Sequence, residues 1–175
     1  MRIRLSVMAV ALIAIAVPVA AAQVSVPMVL VTEQGVGATI GTVTLMDSPG
    51  GLVMTPNLAG LPPGGHGFHV HARGDCGETL TEGKPDPAGA AGGHFDPQGT
   101  GTHLGPAGTG HLGDLPVLEV ATDGRGTTAV TAPRLTVTQV RGLALVIHAG
   151  GDNYADQPAP LGGGGLRIAC GTIPR

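Results

Sequence analysis

Seven histidines stand out in a chain that has one tyrosine, no tryptophan and few charges. Six of them, His66, His69, His71, His94, His103 and His111, crowd into one stretch, and His148 lies far downstream. Imidazole gathered this densely points to metal binding. Asp114, three residues after His111, adds a carboxylate. Zinc and copper both favour imidazole, and zinc also accepts a carboxylate oxygen. The set holds more ligands than one four-coordinate ion needs.

His69 and His71 stand two apart in Gly-Phe-His-Val-His-Ala, which reads as a strand, so both side chains project from one face toward a shared ion. His66, three residues before His69, falls on the opposite face of such a strand and reads as structural or supporting. His148 ends a short apolar run, Ala-Leu-Val-Ile, and is followed by Asp152, a carboxylate able to orient an imidazole. His94, His103, His111 and Asp114 sit on a long irregular stretch. Three imidazoles and a carboxylate complete a tetrahedral zinc shell with no open position, the mark of a structural site. His69, His71 and His148 would leave room for a further ligand or a substrate.

Something must position these groups. From Gln23 onward, short runs rich in Val, Ile, Leu and Thr alternate with turns rich in Gly and Pro. Glycine (31) and proline (15) are abundant enough to suggest disorder, but the apolar content argues against it. With no sustained helical period, the chain reads as all-β. Strands are expected at Val24 to Thr32, Val36 to Asp47, Leu52 to Leu58, Gly67 to Ala72, Leu115 to Thr122, Thr127 to Ala132, Ala144 to His148 and Ile168 to Ile173. That is an eight-stranded sandwich or flattened barrel interrupted by two long loops, Arg73 to Gly113 and Ala149 to Leu166. A loop of roughly 40 residues without structure is unusual in a compact domain, so function is the reason to expect it.

The first residues read Met-Arg-Ile-Arg, then an apolar run to Val17, then an Ala-x-Ala end near Ala22. This is the pattern of a cleaved signal peptide over residues 1–22, with a membrane anchor as the alternative. There is no twin-arginine pair and no cysteine at the cut, so Sec-type export as a soluble protein, with no membrane attachment after cleavage, is the simpler expectation. Residues 23–175 then form one domain. Cys76 and Cys170 in an exported chain are expected to pair as a disulfide, with thiolate metal ligation the alternative. The net charge is −3, and no basic stripe or aromatic platform invites nucleic acid.

Five segments resemble the copper/zinc superoxide dismutases. They are Gly65-His66-Gly67-Phe68-His69-Val70-His71, Gly92-Gly93-His94-Phe95-Asp96-Pro97, Gly110-His111-Leu112-Gly113-Asp114-Leu115-Pro116, Ile147-His148-Ala149-Gly150-Gly151-Asp152-Asn153, and Gly163-Gly164-Gly165-Leu166-Arg167-Ile168-Ala169-Cys170-Gly171. The resemblance runs from about Val24 to Pro174 and is nearest to the bacterial, periplasmic branch. It implies a Greek-key sandwich with copper on His69, His71, His94 and His148, and zinc on His94, His103, His111 and Asp114. His94 would bridge the two metals. Asp152 would link His69 to His103, His66 would be scaffold, and Arg167 would stand at the mouth of the copper channel.

The implied reaction is dismutation of superoxide anion to dioxygen and hydrogen peroxide, by alternate reduction and reoxidation of the copper beside a structural zinc. His94 would supply a proton. Monomers and homodimers both occur among proteins of this kind. An exported copper/zinc-binding protein without catalysis is the other reading of the same fold. One departure from the family pattern is that Lys84 is the only lysine, and no lysine or arginine lies between Asp152 and Leu166. Anion steering is therefore expected to rest mainly on Arg167.

Overall fold

The computed structural model describes residues 23–175. The signal-peptide expectation for residues 1–22 lies outside them. Two long strands open the domain, β1 (Gln23–Thr32) and β2 (Gly35–Ser48), paired antiparallel through a tight turn at Glu33 and Gln34. Alternate residues Val24, Val26 and Met28 of β1 are buried, as are Val43 and Leu45 of β2. This period of two gives each strand one core face and one exposed face. The strand β3 (Gly51–Leu58) continues the meander and buries Leu52, Met54 and Leu58.

Two strands carry histidine, β5 (Phe68–His71) and β10 (Ala144–His148). Between them in the chain come β8 (Leu118–Val120) and β9 (Val130–Ala132), and the domain ends with β11 (Arg167–Thr172). The main sheet is antiparallel throughout, in the order β5-β10-β11-β1-β2-β3-β9. Its ends share one core, where Leu52 and Met54 of β3 meet Phe68 and Val70 of β5 and Leu145 and Ile147 of β10. A sheet whose distant strands bury side chains together must curl, and this one wraps its core as a flattened barrel. A short pair, β4 (Gly64–His66) with β8, adds to the wall.

All eight expected strands are present. Three more are short: β4, and the hairpin β6 (Thr79–Thr81) with β7 (Lys84–Asp86). The hairpin left no alternation to read, because nearly all of its residues face solvent. A single helical turn, α1 (Val137–Val140), is too short for a 3.6-residue pattern, and the Gln139 side chain accepts a hydrogen bond from the Thr136 backbone N–H (2.9 Å).

Every residue of β10 is buried. Leu145 and Ile147 face the core, while Ala144 and Val146 face outward into a second apolar cluster with Ala88, Ala91 and Val31. The long stretch after His71 therefore lies against the outside of the barrel rather than in solvent. A disulfide from Cys76 to Cys170 on β11 fastens it across a separation of 94 residues. Loop closure of that size stabilises a fold by about 4–5 kcal/mol in the chain-entropy model, with about 2–5 kcal/mol usual on removal of a native bridge. The double variant Cys76→Ser/Cys170→Ser is expected to lose about 2–5 kcal/mol of unfolding free energy. Equilibrium denaturation against the oxidised parent checks this, and an unchanged midpoint would contradict it.

Candidate metal centre

The histidines of β5 and β10 use the outward positions of their strands. His69 pairs with Val146 and His71 with Ala144, while Phe68 and Val70 turn inward. The irregular stretch runs alongside β5 and borrows its free backbone edge. Val70 N–H donates to Gly113 O (2.9 Å), Phe95 N–H to Val70 O (2.8 Å), and Ala72 N–H to Gly93 O (3.0 Å). These bonds set His94 opposite His71 and Asp114 opposite His69. Gly113 is required there, because a side chain would collide with the Val70 carbonyl.

Hydrogen bonding assigns the ring nitrogens. His71 donates from Nδ1 to Gly92 O (2.7 Å), and His148 from Nδ1 to Gly165 O (3.0 Å). Each then carries a lone pair on Nε2, and these two nitrogens face each other at 3.4 Å. Two acceptors share no proton, so the approach makes sense only around a cation. His69 donates from Nε2 to Asp152 Oδ2 (2.8 Å), leaving its buried Nδ1 without a partner. His94 Nε2 is also buried and unpartnered. One nitrogen from each of these four rings lies within 4.8 Å of the others.

A second cluster adjoins the first. Asp114 Oδ1 lies 2.9 Å from His94 Nδ1, 3.0 Å from His103 Nδ1 and 3.4 Å from His111 Nδ1. The nitrogens of His103 and His111 are not aimed in hydrogen-bond geometry and count as unsatisfied. Buried polar atoms left without partners are costly, and their convergence fits a bound cation. The first donor set is all imidazole, which suits copper. The second, three imidazoles and one carboxylate, suits zinc. His94 offers one ring nitrogen to each set.

A carboxylate lies behind both. Asp152 accepts from His69 at Oδ2 and from His103 Nε2 at Oδ1 (2.8 Å). The backbone at Gly162 packs against it, where any side chain would strike Asp152 Oδ1. Burial pushes the Asp114 and Asp152 acids upward, but the adjacent His103 ring, joined by His94 at Asp114 and by His69 at Asp152, outweighs it and holds both well below the usual carboxylate range. Burial also pulls His103 down, yet the flanking Asp114 and Asp152 raise it to about 9. On the other side burial prevails, lowering His94 to about 4 despite Asp114, His148 to about 3, and His71 well below its usual value.

His66 sits apart from both clusters. Its nitrogens contact the carbonyls of His148 (2.7 Å) and Pro62 (2.8 Å), tying β4 to the end of β10. Arg167, on β11 beside His148, donates from Nη2 to Gly92 O (2.8 Å) and from Nη1 to Ala88 O (3.1 Å). The Gly92 carbonyl thus holds both His71 and Arg167. A cavity of about 170 Å³ opens on His71, His94, His148 and Arg167, with Asp86 and Leu166 also on its wall.

Two supporting residues carried no sequence signal. Arg134 sends its guanidinium into the stretch between His103 and His111, donating to the carbonyls of Pro106 (3.1 Å), Gly110 (3.1 Å), Gly105 (3.4 Å) and His111 (2.5 Å). Asp156 accepts from the backbone N–H of His103 (2.9 Å) and of Leu161 (3.2 Å), joining the two long loops. Their types are ordinary, and only the fold brings them to the site.

Residues 39–173 match the family described as copper/zinc superoxide dismutase (SODC). The chain is 57% identical over 171 residues to copper-zinc superoxide dismutase 2 of Salmonella typhimurium, covering 97% of this chain and 98% of that one. Its fold matches the solution structure of the monomeric copper, zinc superoxide dismutase from Salmonella enterica at 59% identity, with TM-score 0.79, over 87% of this chain and 99% of that one. The Cu/Zn superoxide dismutase from Brucella abortus matches at 47% identity and TM-score 0.85, over 87% of this chain and 99% of that one. Barrel and histidine clusters define a metalloprotein of the β-sandwich class. The chain belongs to the copper/zinc superoxide dismutase family.

Two measurements probe the centre. His103 keeps its proton up to about pH 9, whereas His94 and His148 are already neutral well above about pH 4. A metal displaces ligand protons. At neutral pH, zinc binding to the second cluster of metal-free protein is therefore expected to release about one proton from His103, and copper binding to the first cluster of metal-free protein to release almost none. Calorimetric titration in buffers of different ionisation enthalpy checks the difference, and equal release would contradict it. Separately, Arg134→Gln is expected to weaken zinc retention about ten-fold or more while leaving copper retention nearly unchanged. Competition with a chromogenic chelator measures both.

Proposed function

We propose that this chain dismutates superoxide, converting two superoxide anions and two protons into dioxygen and hydrogen peroxide. The proposed ligands are His69, His71, His94 and His148 for copper, and His94, His103, His111 and Asp114 for zinc. The observation that carries this reading is His94, whose two ring nitrogens each belong to a separate buried donor cluster. When bound, copper supplies the one-electron redox chemistry and zinc a fixed positive charge.

The chain's own residues have definable tasks. Arg167 is always charged, lines the cavity and draws the anion toward His148 and His71. Its guanidinium is held by two backbone carbonyls, so orientation precedes binding. In the half-cycle in which Nε2 is free of the metal, His94 would take up a proton there, and it would donate that proton to the reduced substrate in the other half-cycle, with solvent supplying the second. Its Nδ1 side, fixed against Asp114, keeps the ring in reach throughout. Asp152 orients His69 and His103 together, so the two clusters cannot drift apart independently. All these groups come from one chain, so activity needs no second copy, and a homodimer would be an addition to the site rather than part of it.

Residues 1–22 are proposed to be a cleaved Sec-type signal, with residues 23–175 working as one domain in the periplasm. The charged start and Ala-x-Ala end support this, as does a disulfide that an oxidising compartment would maintain. Among the described residues, no helix is long and apolar enough to cross a membrane.

Protein loaded with copper and zinc is expected to remove superoxide, and Arg167→Ala to slow it about ten-fold or more. Because positive charge near the cavity is sparse, the rate should fall only shallowly with salt, and more shallowly still in Arg167→Ala. Loaded protein that leaves superoxide untouched would favour the non-catalytic metal-binding reading. A steep salt slope that survives Arg167→Ala would overturn the steering role of Arg167.

A further inference from the structure

One carboxylate on the cavity wall has no part in the chemistry above. Asp86 closes the exposed hairpin β6–β7, and its side chain is 33% exposed. Its Oδ2 accepts from Thr81 Oγ1 (3.1 Å) and, at a longer 3.4 Å, from Arg167 Nη1, forming an ion pair with it. A charge-assisted pair built for strength closes to about 2.7–2.9 Å. This one does not, and Arg167 does not need it for position, since the carbonyls of Ala88 and Gly92 already hold the guanidinium. What Asp86 brings to the wall is its charge.

The neighbouring charges define what an incoming anion meets. Arg167 attracts it, and Arg73, anchored by Nε to Ala90 O (2.7 Å), adds a second cation beside Gly92. Asp86 opposes both. An anion reaching the Arg167 guanidinium comes well inside the Debye length of about 8 Å at physiological ionic strength, so this opposition is only partly screened. Coulombic repulsion grows in proportion to the charge of the ligand. A fixed negative charge therefore weighs on a dianion twice as heavily as on a monoanion of the same placement.

Building on the assignment of Arg167 as the anion's anchor, we propose that Asp86 is a charge-selectivity residue of the access cavity, admitting the monoanion superoxide while discriminating against polyvalent anions such as hydrogen phosphate. The same charge moderates the attraction for superoxide itself. Selectivity is gained at the expense of some steering. Asp86 touches neither the proposed ligands nor the reacting atoms and acts only through the field at the cavity.

The test uses the copper- and zinc-loaded protein in mildly alkaline buffer at constant ionic strength. Azide affinity is read by optical titration, and hydrogen phosphate affinity by its displacement of azide. Asp86→Asn is expected to tighten azide about two- to four-fold and phosphate by about the square of that factor. Asp86→Glu keeps the charge and should match the parent. Glu82→Gln, which removes a carboxylate from the same hairpin but not from the cavity wall, should match it too. Asp86→Ser repeats the charge change should the asparagine variant fold poorly.

Equal gains for azide and phosphate, or none, would overturn the proposal. Weaker binding of both would overturn it as well, by making Asp86 a support for Arg167. Arg167→Ala separates the two layers. If it binds azide like the parent, the assignment of Arg167 falls, and the role of Asp86 with it. If it binds azide weakly while Asp86→Asn shows no charge preference, only the role of Asp86 falls.

Discussion

Buried imidazole lone pairs that face one another, with no proton to share, are the constraint on which this structure turns. His71 and His148 meet at Nε2, and the free nitrogens of His69 and His94 converge on the same space. In the metal-free protein this is a liability of burial without partners. The remaining hydrogen bonds do not relieve it. They enforce it, because each spends the opposite ring nitrogen on a carbonyl or carboxylate and so fixes which lone pair points inward. Scaffold and chemistry are thus coupled at the level of tautomers.

The fold meets this constraint by placing the centre outside the barrel instead of within it. Phe68, Val70, Leu145 and Ile147 face the core, and the intervening residues of the same strands face a layer made by the first long loop. A barrel interior filled by apolar side chains has no room for two ions. Its outer wall does, provided something covers it. The cover is held at several separated points: the disulfide, the apolar contacts of Ala88 and Ala91, the backbone bonds to Val70, and the Arg134 guanidinium. A stretch with little regular structure becomes rigid because its fastenings are distributed along it.

How much of this was legible in the sequence follows from the range of each interaction. His69 and His71 could be paired because a strand alternates every residue, and the fully apolar run before His148 read as a strand, which the structure covers on both faces. His66 could be separated from them by the same rule, and its ring does bind backbone carbonyls on β10 and before β4. His94, His103, His111 and Asp114 could be grouped by their types, but the sharing of His94 with the first set was open only through family resemblance, since irregular backbone set against β5 creates it. Arg134, Asp156 and Asp86 were invisible. An arginine that caps loop carbonyls and an aspartate on an exposed hairpin have the same types as any solvated surface residue, and long-range contacts alone give them a role.

The sparse charge around the cavity takes on a different meaning once Asp86 is in place. With a single lysine in the chain, the low positive charge first reads as steering that rests mainly on Arg167. In the structure, however, Arg167 is not a free cation on a neutral rim. It is pinned by Gly92, whose carbonyl also fixes His71, and is paired at a long 3.4 Å with the Asp86 carboxylate. Had capture rate alone shaped this rim, a carboxylate at that position would be the first group to discard. Its presence beside the guanidinium is better understood as a balance, in which attraction is kept local to the reacting centre and Asp86 subtracts about twice as much from the attraction felt by a dianion as from that felt by a small monoanion.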